Sequence, residues 1–120
     1  MSYQIYERDG WIEVQVLEKT SPQELLTAIR DLQRRDPRKE VPDLWTFSED
    51  SIVPYVEFPT IVASVKALCN GELVGCKTAL VAKNEFQRVV MDLYRVAAKI
   101  LRFEIGVFSS REQAIEWLKS

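Results

Sequence analysis

Apolar and polar residues alternate with a period of two at the start of the chain and change to helical spacing after residue 21. Residues 3–7 and 11–17 both alternate. In the second run Ile12, Val14 and Val16 share one face and Trp11, Glu13 and Gln15 the other, as in a strand whose two faces meet different surroundings. Asp9-Gly10 between the runs is a hairpin signal, because a type I′ turn requires positive φ at both central positions. The chain is therefore expected to open with an antiparallel pair.

Ser21-Pro22-Gln23-Glu24 then marks a helix start. Ser21 can cap, Pro22 suits the first helical position and Glu24 completes a capping box. Leu25, Ala28, Ile29 and Leu32 follow at helical spacing, and Asp36-Pro37 ends the helix, since proline disfavours helix in the residue before it. Arg34, Arg35, Arg38 and Lys39 are read as cations that complement that helix end, in preference to a phosphate-binding segment. Residues 41–47 read as a third strand, followed by a polar loop from Ser48. Phe58, Ile61, Val62, Val65, Leu68 and Cys69 form a second helical stripe, with Pro59 in its first turn and Asn70-Gly71 as its stop.

The last third reads as strand 76–82, long helix 84–101, strand 103–108 and short helix 110–119. Two apolar strands joined by an amphipathic helix imply a parallel crossover, so the fold class is α/β. The expected architecture is a mixed sheet of about five strands with about four helices and an N-terminal β-hairpin. On the long helix Phe86, Val89, Val90, Leu93, Ala97, Ile100 and Leu101 are assigned to the core side. Arg88, Asp92, Arg95 and Lys99 form a narrow solvent face, and Met91, Tyr94 and Ala98 lie on one flank. That apolar arc is wider than one sheet contact needs. It implies burial against a neighbouring helix, or else a pocket or an oligomer contact.

Composition narrows the chemistry. With 120 residues, 47% of them apolar and 28% charged, residues 1–120 suit one domain with a single core. A net charge of -2 argues against nucleic acid as a partner. No apolar run reaches the ~20 residues of a membrane span. The first residues lack a signal peptide's basic flank and apolar stretch, so the cytoplasm is the expected location. Histidine is absent, which removes the commonest general base and metal ligand; no cofactor and no metal are expected. Cys69 and Cys76 flank Asn70-Gly71 and read as free thiols, with a redox-sensitive pair as the alternative.

Three groups of residues carry a family likeness: Pro42-Asp43-Leu44-Trp45, Thr78-Ala79-Leu80-Val81-Ala82 with Phe86 and Met91-Asp92-Leu93-Tyr94, and above all the run from Val107-Phe108 to Trp117-Leu118. With the order strand-strand-helix-strand-helix-strand-helix-strand-helix they resemble the SpoIIAA-like branch of the STAS superfamily, whose shape is shared with lipid-binding CRAL-TRIO (Sec14-type) domains. That family typically ends in a valine-phenylalanine strand and an "EA-x-x-WL" helix. Two positions depart from it. Thr46 stands where the family often has an aspartate. Asp50-Ser51 matches the start of the aspartate-serine-(serine or threonine)-glycine phosphorylation setting, but Ile52 and Val53 follow.

The resemblance implies a non-enzymatic regulatory or protein-interaction module that docks a protein partner through the loop and helix after the third strand. Ser48, Asp50 and Ser51 are then partner-binding or phosphoacceptor candidates; a phosphate beside Glu49 and Asp50 would add about two negative charges. The alternative is a carrier or sensor of a small apolar or lipid-like ligand, held by Trp45, Tyr55, Phe58, Met91 and Tyr94, with Phe47 nearby. An enzyme would have to draw on Glu49, Asp50, Glu57 and Asp92, which nothing in the sequence places across a substrate, so no catalytic residue is assigned. A homodimer is a further expectation.

Overall fold

The computed structural model describes residues 3–17, 21–36, 41–49, 58–69, 77–100 and 104–120. Among them a five-stranded sheet is ordered β1-β2-β3-β4-β5, with β1 Tyr3–Glu7, β2 Ile12–Val16, β3 Asp43–Phe47, β4 Lys77–Val81 and β5 Glu104–Phe108. The β1–β2 pair is antiparallel and the other three pairs are parallel, so the sheet is mixed and the expected α/β class holds. Helices α1 Pro22–Arg35, α2 Phe58–Cys69 and α3 Glu85–Ala97 are the three crossovers, and α4 Arg111–Lys119 follows β5.

Local chemistry explains the boundaries. In the opening hairpin Glu7 pairs with Ile12 and the Arg8 N–H donates to the Trp11 carbonyl at 2.8 Å. Asp9 and Gly10 sit at the tip, and Gly10 takes φ +101°, the left-handed region that glycine enters without steric cost. Trp11, assigned from the alternation to the second strand, therefore belongs to this turn. Ser21 and Glu24 form the capping box of α1. The buried Asp36 carboxylate accepts from the Val41 N–H at 2.9 Å and so fastens the end of α1 to the approach to β3. Asn84 caps α3 and Ser110 caps α4.

The sheet has two unequal faces. Ile12, Val14, Val16, Trp45, Phe47, Leu80 and Ala82 form the main core with Leu25, Ala28 and Leu32 of α1, Ile61 and Val62 of α2, and Val90 and Met91 of α3. Three crossovers that step in one direction across the sheet with one hand must place their helices on one side. The opposite face carries Trp11, Leu44, Ala79 and Val81, covered by Ala114 and Leu118 of α4, with Phe108, Ile115 and Trp117 at the margin.

α3 departs from the expected orientation. Val90, Met91 and Ala98 are buried with Gln87, whereas Phe86, Val89, Leu93 and Val96 are 52–57% exposed and Ala97 is exposed too. The flank and the expected core side thus exchange roles for most positions. An apolar arc this wide offers two faces to the sheet, and periodicity alone does not choose between them.

Helix α4 is fixed at both ends. Arg111, in its first turn, donates from Nη2 to Glu13 Oε1 at 2.7 Å and from Nε to Oε2 at 3.0 Å. A cation at a helix N-terminus opposes the helix dipole, so the carboxylate offsets an otherwise unfavourable placement. Glu13 is completely buried. It also accepts from Arg8 Nε (3.3 Å), Trp11 Nε1 (3.4 Å) and Gln15 Nε2 (3.1 Å). Burial alone would raise its pKa; the Arg111 and Gln15 hydrogen bonds, the Arg111 charge and the Trp11 indole outweigh that and lower it from 4.5 to about 2. At the other end the Lys77 ammonium donates to the Trp117 main-chain oxygen at 3.0 Å and lies 5.0 Å from the Trp117 ring centroid. Between these ties, Trp117 packs on Phe108 with centroids 5.3 Å apart, above Gly106.

Two predictions follow from this attachment. A folded-state pKa below the unfolded value gives stability that is complete above about pH 4.5 and is lost as pH falls through about 2. Arg111→Met leaves a buried carboxylate with weaker partners, so urea unfolding should show a loss of about 1.5–3 kcal/mol at neutral pH that narrows as acid protonates Glu13. At Gly106 a Cβ would stand 2.8 Å from the Phe108 ring and 3.3 Å from Trp117. Gly106→Ala should therefore cost about 1–3 kcal/mol in the same assay and shift tryptophan emission as the rings move.

Candidate interaction surface

The carboxyl ends of β2, β3, β4 and β5 lie along one edge of the sheet, because these four strands are parallel. This is the edge at which the strand-to-helix connections gather. Here it carries Leu17, Ser48 and Glu49, Lys83 and Asn84, and Ser109 and Ser110.

The segment after β3 is held from two sides. The Ser48 N–H donates to the Val16 carbonyl at 3.0 Å and extends the β2–β3 ladder by one bond. On the other side Gln87, 1% exposed, donates from Nε2 to the Ser48 carbonyl at 2.8 Å. Its Oε1 accepts from the Lys83 N–H at 2.9 Å, and its own N–H donates to Asn84 Oδ1 at 2.8 Å. Asn84 Nδ2 reaches the Glu49 carbonyl at 3.4 Å. One buried amide thus joins the turn after β4, the start of α3 and the segment after β3. Ser48 is half-buried and Glu49 exposed, so this segment meets solvent on a braced backbone.

The candidates named from sequence distribute as follows. Ser48 lies at this edge, while Asp50, Ser51 and Tyr55 fall outside the described residues, as does the side chain of Phe58. Trp45, Phe47 and Met91 are buried in the main core, and Tyr94 packs against it. The Trp45 indole donates to Asp43 at 3.0 Å, and Asp43 accepts from the Thr78 hydroxyl at 2.6 Å, a buried polar cluster at the opposite end of β3. Among the carboxylates considered for catalysis, Glu49 is exposed and Asp92 pairs with Arg95 in its own helix at 3.1 Å; Asp50 and Glu57 lie outside the described residues, as do the thiols of Cys69 and Cys76. Among the described residues no cluster of potential metal ligands occurs, and no helix is long and apolar enough to cross a membrane.

Gln87 was not singled out by its sequence, although the signal is there: Asn84 and Gln87 have the spacing of a capping box. The side-chain arm bonds Lys83 rather than Asn84, one residue earlier than the standard motif. Replacing the amide by Leu removes the contacts to Ser48 and Lys83 together. Gln87→Leu should lower stability by about 1–3 kcal/mol and accelerate hydrogen exchange of the Lys83 amide, which loses its acceptor, well beyond that of the β1–β2 hairpin.

Comparison with known proteins bears on the fold. No family model and no curated protein matches the chain. Among solved structures, the chain is similar to a 2.25 Å crystal structure of an uncharacterized protein of the DUF3478 family, with a SpoIIAA-like fold, from Shewanella loihica PV-4. The likeness has a TM-score of 0.62, spans 97% of this chain and 91% of that one, and comes with 16% sequence identity. The sheet order, the hairpin, the three crossovers on one face and the closing helix on the other therefore make up a SpoIIAA-like fold.

Proposed function

We propose that this protein is a non-enzymatic interaction module of STAS type that docks a partner protein through the segment after β3 and the helix that follows it. The observation that carries this reading is the bracing of Ser48 and Glu49. Their carbonyls are held by Gln87 and Asn84, so these two residues meet solvent on a braced backbone, and contact groups that are already held lose little entropy on binding. The SpoIIAA-like fold enters only as analogy, since a fold by itself does not fix a function.

The reading is tested in the source cells with a photoreactive residue at Glu49, which is exposed at this edge, and separately at Glu116, which is exposed on α4. Irradiation should yield a discrete covalent adduct with a second protein from position 49 and none from position 116. Equal yields from both positions, or no adduct from position 49 in any growth phase, overturn it.

A further inference from the structure

The exposed face of α3 has a pattern of its own. Phe86, Val89, Leu93 and Val96 are separated by three, four and three residues, which is the a–d spacing of a helix that packs along another helix. All four stand more than half exposed, away from the buried line of Gln87, Val90, Met91 and Ala98 on the same helix. Large apolar side chains scattered singly over a surface need no explanation, but four in one seam form a contact face.

The rim of the seam identifies what covers it. Glu85, Asp92 and Lys99 follow each other at intervals of seven along the solvent side, acidic at the start of α3 and basic just beyond its end. A parallel copy would set Glu85 against Glu85 and Lys99 against Lys99. An antiparallel copy sets Glu85 of each chain beside Lys99 of the other, with the helix dipoles opposed as well. In that register Phe86 faces Val96 of the second copy and Val89 faces its Leu93, so four apolar layers close about a two-fold axis. Asp92 meets its counterpart at the axis, but each is balanced by Arg95 of its own helix at 3.1 Å. We infer that the α3 seam is covered by a second copy of this chain, antiparallel, with Glu85 and Lys99 pairing across the rim.

The area sets the strength. Four side chains with half their surface in water offer on the order of 350 Å² per chain, below the roughly 800 Å² per partner of a standard stable interface. The dimer is accordingly a concentration-dependent one. This inference goes beyond the docking proposal and is independent of it, because Glu49 is not part of the seam.

Sedimentation equilibrium of the full chain between about 5 and about 500 µM tests it, a range spanning the weak affinities such an area supports. The wild type should pass from monomer to dimer across the range. Leu93→Glu, at an exposed position, should stay monomeric throughout with its circular dichroism unchanged. Glu85→Lys and Lys99→Glu should each weaken association by about fivefold, and the double variant should recover wild-type association to within about twofold. A wild type that stays monomeric at the highest concentration overturns the proposal. So does a dimer indifferent to Leu93→Glu, or a double variant weaker than both single ones, which would exclude the antiparallel pairing.

Discussion

The architecture depends on one topological constraint: three crossovers of one hand stepping in one direction put α1, α2 and α3 on the same side of the sheet. A parallel sheet buries both faces, so the opposite face, with Leu44, Ala79 and Val81, falls among the described residues to α4. A helix of nine residues is too short to be stable in isolation. Its attachment must come from tertiary contacts. These are the Glu13–Arg111 pair at its first turn, Lys77 at its last, and the Phe108–Trp117 contact lying across a glycine.

The nature of that attachment follows from what α4 leaves uncovered. It packs against β3, β4 and β5, while the same face of β1 and β2 presents Gln4 and Gln15, with Thr46 beside them on β3. Glu13 stands at the border between the apolar patch and this polar one. A buried ion pair adds little net stability after desolvation, but breaking it is costly, so its main effect is geometric. Five hydrogen bonds to its two carboxylate oxygens hold Glu13 in place, and the two from Arg111 tie the first turn of α4 to β2.

The features legible in the sequence are those written in local chemistry. The capping box at Ser21, the Asp9-Gly10 turn, the alternation in β2 and the strand-helix-strand order each depend on neighbours a few residues apart. Long-range polar contacts were not legible. Glu13 and Arg111 are 98 positions apart and Gln87 and Ser48 are 39 apart, and neither pair has a composition that marks it out. Ser48 was reached through the family likeness, which points to the segment after the third strand; the side chain that braces it was not. The apolar-ligand set poses a different question of legibility. Aromatic residues that could wall a pocket are the same residues that fill a core, and Trp45 and Met91 are core residues here.

The rolled orientation of α3 connects these observations. Phe86 and Gln87 are successive residues, so their side chains leave the helix about 100° apart. Turning α3 to bury Phe86 and Leu93 would carry Gln87 out of reach of the Ser48 carbonyl and the Lys83 N–H. It would also withdraw the buried Val90 and Met91 from the main core. Leaving four apolar side chains half in water costs hydrophobic burial on the order of several kcal/mol. A helix that keeps this orientation alone does so against that cost, because the buried amide and the Val90–Met91 packing together outweigh it. The amide that braces the Ser48 carbonyl thus acts with Val90 and Met91 in turning the a–d seam of α3 outward.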